Sequence, residues 1–302
     1  MKRSSRQFWP AMAFLMPNLT GFALFTAWPV LAALLLSFTS WDLLTPPKFV
    51  GLDNYADLLG FRLTADGVKA NDPLFWKYLG NTIFLMLSLP VNVGASLFLA
   101  ILLNQKIRGT YLYRLLFFLP SILSGVAIFY LWRWMYNPDY GLVNQLLSAF
   151  GTEGPRWLTD PAWAKPALML MGCWLAAGGT SMVLYLAALQ NVPLELYEAA
   201  QIDGANAWQQ FLKITWPSVA PVTFFIVTMG LIHGFQSGFE AAYIMTGGGP
   251  FGATTTIGYY IYNMAYVHFE MGYAAAIACI LFALVLAVTL INWRQGKDNV
   301  TL

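Results

Sequence analysis

The sequence predicts an all-α membrane protein with six transmembrane helices. Of its 302 residues, 58% are hydrophobic and only 10% are charged, whereas charged residues make up about 25% of an ordinary globular domain. Mean hydropathy is +0.59. So few charges cannot cover a soluble body of this size, and the abundance of aromatic and aliphatic residues excludes a disordered chain. A net charge of +2 excludes a strongly basic nucleic-acid binder.

Six apolar runs are long enough to cross about 30 Å of hydrocarbon as helices of about 20 residues. We predict spans at 11–38, 81–103, 115–131, 167–190, 218–239 and 271–292, within one transmembrane domain covering residues 1–302. The third run is short, and we expect Trp132 and Trp134 to anchor it at the membrane interface. The first run is too long for the apolar core of a signal peptide, so we interpret it as a retained helix.

Lysine and arginine residues predict the orientation of the spans. With a cytoplasmic N-terminus, the inner segments carry nine basic residues over 58 positions, and the outer segments carry seven over 108. The inner basic residues are Lys2, Arg3, Arg6, Lys106, Arg108, Arg114, Lys213, Arg294 and Lys297. Because positive charge is denser on the cytoplasmic side of membrane proteins, both termini are expected there. Segment 39–80 is then an outer loop, which either docks a partner or caps the helix ends.

The sequence contains no recognisable catalytic or metal-binding motif. Gly247–Pro250 lacks the lysine of a phosphate-binding loop and is expected to be an outer loop after the fifth span. The spacing of His233 and His268 does not fit a zinc motif, and the two cysteines lie in apolar runs. We therefore predict that the chain is not an enzyme and binds no metal.

Ionisable residues within the spans are too few for an ion-coupled transporter. His233 lies in the fifth span and Glu240 at its outer end, whereas a proton relay normally needs several carboxylates or histidines inside the membrane. We interpret His233 first as a hydrogen-bonded packing residue. Any energy for transport must then come from another protein.

The inner segment 191–217 is too polar to span the membrane and too regular to be a loop. Pro193 is suited to the first turn of a helix, and Glu195 and Glu198 follow at its positive end. Asp203–Gly204 indicates a turn, and a second helical stretch leads to Pro217, where the fifth span is expected to begin. We predict a helix–turn–helix across the cytoplasmic mouth, whose small residues let a partner approach closely: Ala199, Ala200, Gly204 and Ala205.

This segment resembles the EAA motif of ABC-importer permeases. The pattern EAA-x3-GA-x5-F-x2-I-x2-P is matched at every fixed position by Glu198-Ala199-Ala200, Gly204-Ala205, Phe211, Ile214 and Pro217. Nearly the whole chain is similar to the first permease of the pair in the maltose and glycerol-3-phosphate systems. Residues that carry this wider resemblance are Phe49–Leu52, Asn54-Tyr55, Phe75-Trp76, Asn81-Thr82, Leu189-Gln190, Pro193 and Thr246–Pro250. The long N-terminal extension and large outer domain of the maltose member are missing, so the chain resembles a six-helix minimal form.

The resemblance implies a type I ABC-importer permease fold in a bacterial or archaeal cytoplasmic membrane. It implies a heterodimer with a second permease, two cytoplasmic ATPase subunits that bind ATP and Mg²⁺, and an extracytoplasmic solute-binding protein, with no cofactor on this chain and no nucleic acid. Glu198 is the expected ion-pair anchor in the ATPase groove, within the coupling set Glu198, Ala199, Ala200, Asp203, Gly204 and Ala205. The alternative, a helix lying on anionic lipid, is disfavoured because the segment has three acids and one lysine.

Substrate contacts are expected from aromatic and polar side chains on the fourth and fifth spans. The candidates are Trp174, Thr180, Phe235, Gln236, Phe239 and Glu240, although ordinary helix packing is the more frequent reason for any single one of them. Aromatic faces stack on sugar rings, and Gln, Thr and Glu hydrogen-bond to hydroxyl groups. Because neither span has a Lys or Arg near its midpoint, the sequence favours a mono- or oligosaccharide over glycerol 3-phosphate. A polyol is a further alternative.

Overall fold

The computed structural model describes residues 4–64, 67–105 and 108–300. Lys2, Arg3 and Lys106, which enter the orientation argument, lie outside the described residues. The helices are α1 (Ser4–Phe22), α2 (Trp28–Leu36), α3 (Asp53–Leu59), α4 (Pro73–Met86), α5 (Ser88–Asn104), α6 (Thr110–Ile122), α7 (Gly125–Met135), α8 (Leu142–Ala149), α9 (Pro161–Ala177), α10 (Thr180–Gln190), α11 (Leu194–Ile202), α12 (Ala207–Gln210), α13 (Trp216–Gln236), α14 (Phe239–Ala241), α15 (Ile257–Tyr262) and α16 (Met271–Val300). Single π-helical turns lie at Ala23–Ala27, Phe211–Thr215, Ala242–Thr246 and Asn263–Val267. The strands are β1 (Thr39–Ser40), β2 (Lys48–Phe49), β3 (Phe61–Thr64) and β4 (Gly67–Ala70).

Five helical segments are long and apolar enough to cross a membrane: Met12–Leu36, Pro73–Asn104, Pro161–Gln190, Ala207–Gln236 and Met271–Arg294. They confirm the first, second, fourth, fifth and sixth predicted spans as apolar helices. The second begins eight residues earlier than predicted, at Pro73, so the last part of segment 39–80 is already helical.

The third predicted span is wrong as a straight helix. α6 and α7 meet at an angle of 99°. Pro120 has no N–H to donate within the last turns of α6, and Leu123 and Ser124 then adopt extended backbone with ψ of 149° and 130°. The predicted interfacial role of Trp132 is also wrong, because its side chain is only 7% exposed.

The described residues divide into two compact units, one drawn from Met1–Pro73 and Ile261–Phe282, the other from Leu74–Tyr260 and Ala283–Leu302. In the first unit, β1 pairs with β2 and β3 with β4, both antiparallel. The Tyr273 hydroxyl donates to the Asp72 carboxylate at 2.7 Å, and the Met271 N–H donates to the Trp41 carbonyl at 2.9 Å. The predicted outer loop is therefore an ordered substructure attached to the start of α16.

In the second unit, helices pack around two hydrophobic clusters. One joins α5, α10 and α13 through buried residues that include Leu97, Met182 and Val219. The other joins α7 and α9 to the segment around Trp157. Since α10 ends just before segment 191–217 and α13 begins at its last two residues, the first cluster holds both ends of that segment on the same neighbour, α5.

Candidate functional site

Segment 191–217 folds as two short helices joined by a tight turn. Pro193 precedes α11, and Glu195 lies in the first turn of that helix. Gly204 has φ of +79°, which side-chain-bearing residues rarely adopt. Asn206 and Gln209 then form a reciprocal capping box at the start of α12. Local sequence signals alone therefore account for the helix–turn–helix.

The outer surface of α11 is accessible and chemically mixed. Ile202 is 87% exposed and Leu194 is 67% exposed. Glu198 is exposed as well, and its carboxylate forms no hydrogen bond or ion pair with any residue that the structure describes. The hydroxyl groups of Tyr197 and Thr215 are 3.0 Å apart, which ties α11 to the following helix. One side of α11 therefore exposes an acid and apolar side chains, and the opposite side is attached to the following helix through Tyr197.

The helix that contains the fifth span runs without interruption from Ala207 to Gln236, so the second helical stretch of segment 191–217 continues through Pro217. The π turn at Phe211–Thr215 explains how proline is accepted there. The Trp216 N–H donates to the carbonyl of Phe211, five residues earlier. This wider turn makes room for the proline ring near the backbone of Lys213, where a regular α-helix would place a clashing carbonyl.

Two adjoining cavities, of about 480 Å³ and 600 Å³, lie between the helices of the second unit. Residues that line both cavities are Leu85, Ser88, Gly172, His233 and Ser237. Among the described lining residues, Glu240 is the one acidic side chain and His233 the one histidine. None of them is Lys or Arg. The lining therefore combines apolar surface with neutral hydrogen-bonding groups.

The predicted substrate-path residues separate into two groups. Gln236, Phe239 and Glu240 line the smaller cavity, and Thr180 lines the larger one. Phe235 and Trp174 line neither: Phe235 is 5% exposed, and the Trp174 ring packs on Trp132 at 5.6 Å between centroids. α13 ends at Gln236 because Ser237 adopts extended backbone. Gly238 follows with φ of +91°, and Phe239 therefore begins a separate short helix.

Sequence reasoning missed some lining residues and misjudged another. Ser88 and Asn92 come from α5, a helix that sequence reasoning did not consider for the path. The interpretation of His233 as a hydrogen-bonded packing residue is wrong, since its imidazole is exposed to both cavities and has no hydrogen bond to a described residue. The sequence signal that could have identified Ser88 and Asn92 is that they are isolated polar residues within an apolar helix.

Residues 78–295 match the family described as "Binding-protein-dependent transport system inner membrane component". The chain belongs to this family of ABC-transporter permeases. The permease is 39% identical to "Probable ABC transporter permease protein YesP" of Bacillus subtilis, with 94% of this chain and 89% of the relative covered. It is 34% identical to "Lactose transport system permease protein LacF" of Rhizobium radiobacter, with 95% of this chain and 93% of the relative covered. It is 31% identical to "sn-glycerol-3-phosphate transport system permease protein UgpA" of Escherichia coli, with 98% of this chain and 96% of the relative covered.

The fold is similar to that of a solved transporter. With a TM-score of 0.84 and 24% identity, the permease matches a chain of a bacterial alginate ABC transporter in complex with an alginate pentasaccharide-bound periplasmic protein, covering 99% of this chain and 98% of that chain. The type I importer fold expected from the sequence is thereby confirmed. As a member of this family the permease is a multi-pass inner-membrane protein and not an enzyme, because ATP is hydrolysed in separate subunits. The ion-coupled alternative is excluded.

The bend in the third span brings a helix terminus of the permease to Glu240. A Cβ atom added to Gly125, the first residue of α7, would lie 3.6 Å from the Glu240 Oε2 atom. The first backbone N–H groups of a helix carry partial positive charge and favour a nearby carboxylate. The acid that lines the smaller cavity therefore lies beside the start of α7, next to the helix break that sequence reasoning did not predict.

The Thr246–Pro250 run of the permease begins an ordered loop attached to α4. The Asn81 amide donates to the carbonyls of Gly252 and Thr255 at 3.0 and 2.9 Å. The Thr82 hydroxyl accepts from the Ile257 N–H at 3.0 Å. The expected loop after the fifth span is therefore present, and two residues named in the family resemblance hold it in place.

Proposed function

We propose that the permease pairs with a second homologous permease and forms with it the path by which a neutral mono- or oligosaccharide crosses the membrane. Two cytoplasmic ATPase subunits, which bind ATP and Mg²⁺, drive the movement, and an extracytoplasmic solute-binding protein delivers the substrate. No cofactor is bound by this chain. Both termini lie in the cytoplasm, segment 39–80 lies outside, and segment 191–217 is the coupling loop of a single permease domain.

The lining of the two cavities, which has no Arg or Lys among its described residues, supports a saccharide as substrate. Gln236 and Ser237 offer groups that hydrogen-bond to hydroxyls, and the Phe239 and Phe129 rings line the same cavity. Aromatic rings present an apolar face that suits the apolar face of a sugar ring. The relative LacF is named for lactose transport, which agrees with this substrate class.

Glycerol 3-phosphate is the second candidate, because the relative UgpA is named for its transport. A phosphate group is normally bound by Arg, Lys or backbone N–H groups. The described cavity lining contains no Arg or Lys and does contain Glu240. The electrostatics of the path therefore favour a neutral saccharide, and a polyol would use the same hydrogen-bonding groups.

We infer that α11 docks in a groove of an ATPase subunit, with Glu198 as the ion-pair anchor. Ala199 and Ala200 permit close approach, and the Asp203–Gly204–Ala205 turn directs the chain back toward the fifth span. The exposed Glu198 without a partner in the described structure supports this role.

The experiment that tests the function uses the whole transporter. The permease is co-purified with the neighbouring permease, ATPase and binding protein and is reconstituted in proteoliposomes. The binding protein is titrated with neutral sugars, polyols and glycerol 3-phosphate, and uptake and ATPase activity are measured for each. We expect a neutral saccharide to bind and to drive uptake; uptake of glycerol 3-phosphate alone would refute the proposed substrate class.

A further inference from the structure

A third cavity of about 520 Å³ lies beyond the outer end of α13 and contains two arginines, Arg133 and Arg156. Its other lining groups include Asn137, Thr159, Tyr243 and the Gly247 backbone. α13 is 21 residues long, so it rises about 30 Å between segment 191–217 and this region. The cavity therefore lies near the end of the second unit that is remote from segment 191–217.

The chain holds both arginines on ordered supports. Arg133 lies in the last turn of α7, and its Nη1 donates to the Ile244 carbonyl at 3.3 Å. Arg156 directly precedes Trp157, which is 8% exposed and donates from Nε1 to Asn144 Oδ1 at 2.7 Å. The Trp157 ring packs on Tyr136 at 5.4 Å between centroids. The backbone that carries each arginine is therefore held in place, by α7 for Arg133 and by the buried Trp157 for Arg156.

The cavity has positive charge without a counter-charge. Among the described residues, neither Asp139 nor Asp160 forms an ion pair with either arginine, and Asp160 instead caps α9 by accepting from the Ala162 N–H at 2.8 Å. Burial raises the pKa of the Tyr136 phenol, so this lining residue stays neutral. Two guanidinium groups that line one cavity favour binding of a carboxylate. The two oxygens of a carboxylate match the pair of N–H donors on the planar guanidinium group.

The position of the cavity favours a carboxylate on a partner protein over one on the substrate. No residue lines both this cavity and either of the two cavities of the proposed path. Glu240, which lines the path, repels an anionic substrate. The family is binding-protein-dependent, so a protein must dock where the substrate enters.

We propose that Arg133 and Arg156 form a socket for an Asp or Glu side chain on the surface of the solute-binding protein. The proposal rests on the orientation given under the proposed function. The socket sets how tightly the binding protein docks and leaves the choice of substrate to the other two cavities.

The test uses the complete transporter in lipid nanodiscs with its binding protein. The double variant R133E/R156E is compared with wild type and with T152E, which adds a negative charge at an exposed position outside segment 39–80 and outside the cavity. The readout is the binding-protein concentration that gives half-maximal ATPase stimulation, at low and high salt. We expect at least a tenfold rise for the double variant at low salt, loss of salt dependence, unchanged basal ATPase activity and no change for T152E.

A half-maximal concentration equal to that of wild type would overturn the proposal. So would unchanged binding-protein dependence together with a changed ratio of acidic to neutral saccharide uptake, since that result assigns the arginines to the substrate. The milder R133Q/R156Q pair keeps the test valid if the reversed pair fails to assemble, and a Lys substitution of the partner acid is expected to restore docking of R133E/R156E. Failure of wild type to transport any saccharide, with docking still dependent on the arginines, would refute only the substrate class.

Discussion

The side-chain amide nitrogen of Asn81 lies 2.9 Å from the carbonyl oxygen of Thr255, a residue 174 positions later in the chain. Asn81 is 3% exposed, and its Oδ1 accepts from the Lys165 ammonium at 3.3 Å. One buried amide therefore connects α4, the start of α9 and the loop that follows the fifth span. Sequence reasoning named Asn81 and the glycine loop as separate features of the family and did not connect them.

Replacing Asn81 with alanine is expected to lower the stability of the permease by about 1–3 kcal/mol, the usual cost of leaving buried polar groups without a partner. Thermal unfolding of the purified transporter in detergent measures the effect. Asn104→Ala is the matched control, because Asn104 is exposed at the end of α5. Equal unfolding temperatures for the two variants would show that the hydrogen bonds of Asn81 contribute nothing to the stability of the permease.

Gly178→Ala is expected to disturb the packing of the fourth span against the third. A Cβ atom at Gly178 would lie 2.3 Å from the Phe117 carbonyl oxygen, well inside van der Waals contact. Gly94→Ala provides the control, since a Cβ at that mid-helix position meets nothing within 4 Å and alanine favours the helix. We predict a lower unfolding temperature for Gly178→Ala and an equal or higher one for Gly94→Ala; the reverse order would contradict the packing described.

Gly204→Ala tests the turn of the proposed coupling loop by backbone strain alone. The space around Gly204 is open, but its φ of +79° lies in the left-handed region, which costs a side-chain-bearing residue about 1–2 kcal/mol. We expect weaker ATPase assembly and slower transport for Gly204→Ala. Asn tolerates this conformation better than other residues, so Gly204→Asn should lose less. Equal losses for Asn and Ala would assign the defect to lost space for the partner.

Glu198→Lys is expected to abolish association with the ATPase subunit, measured by co-purification, because it reverses the proposed anchor charge. Glu198→Gln removes the charge while keeping the size and should cause a partial loss. Glu153→Lys makes the same change at an exposed site outside the coupling segment and is expected to have no effect. Intact assembly and transport in Glu198→Lys would refute the coupling role.

Gln236→Leu is expected to lower saccharide uptake about tenfold, through loss of one or more hydrogen bonds to substrate hydroxyls at about 1 kcal/mol each. ATPase stimulation by the binding protein should persist, because Gln236 lies in the smaller cavity and outside the coupling segment. The control is Gln105→Leu, an exposed position that lines neither cavity. Uptake unchanged in Gln236→Leu would remove this residue from the path.

Local and composition-based signals determined much of the architecture. The length and apolarity of the runs predicted five of the helical spans, because hydrocarbon thickness prescribes a helix of about 20 residues. The helix–turn–helix at 191–217 was predictable because proline, an acidic first turn and Asp203–Gly204 each act within a few residues. The EAA motif, one part of the family resemblance, lies in the same short stretch.

Only the tertiary structure decided how these helices bend and what they enclose. Length and apolarity do not reveal the 99° break between α6 and α7 or the π turn before Pro217, which form at prolines within otherwise regular helical runs. The third cavity depends on the fold, because the end of α7, the segment around Arg156 and the segment around Tyr243 meet there. The Trp132 side chain would suit the membrane interface, but it is buried in the protein because the rings of Tyr136 and Trp174 pack against it. Apolarity decides whether a residue leaves water, but in a protein surrounded by lipid it does not decide whether that residue faces a neighbouring helix or the membrane.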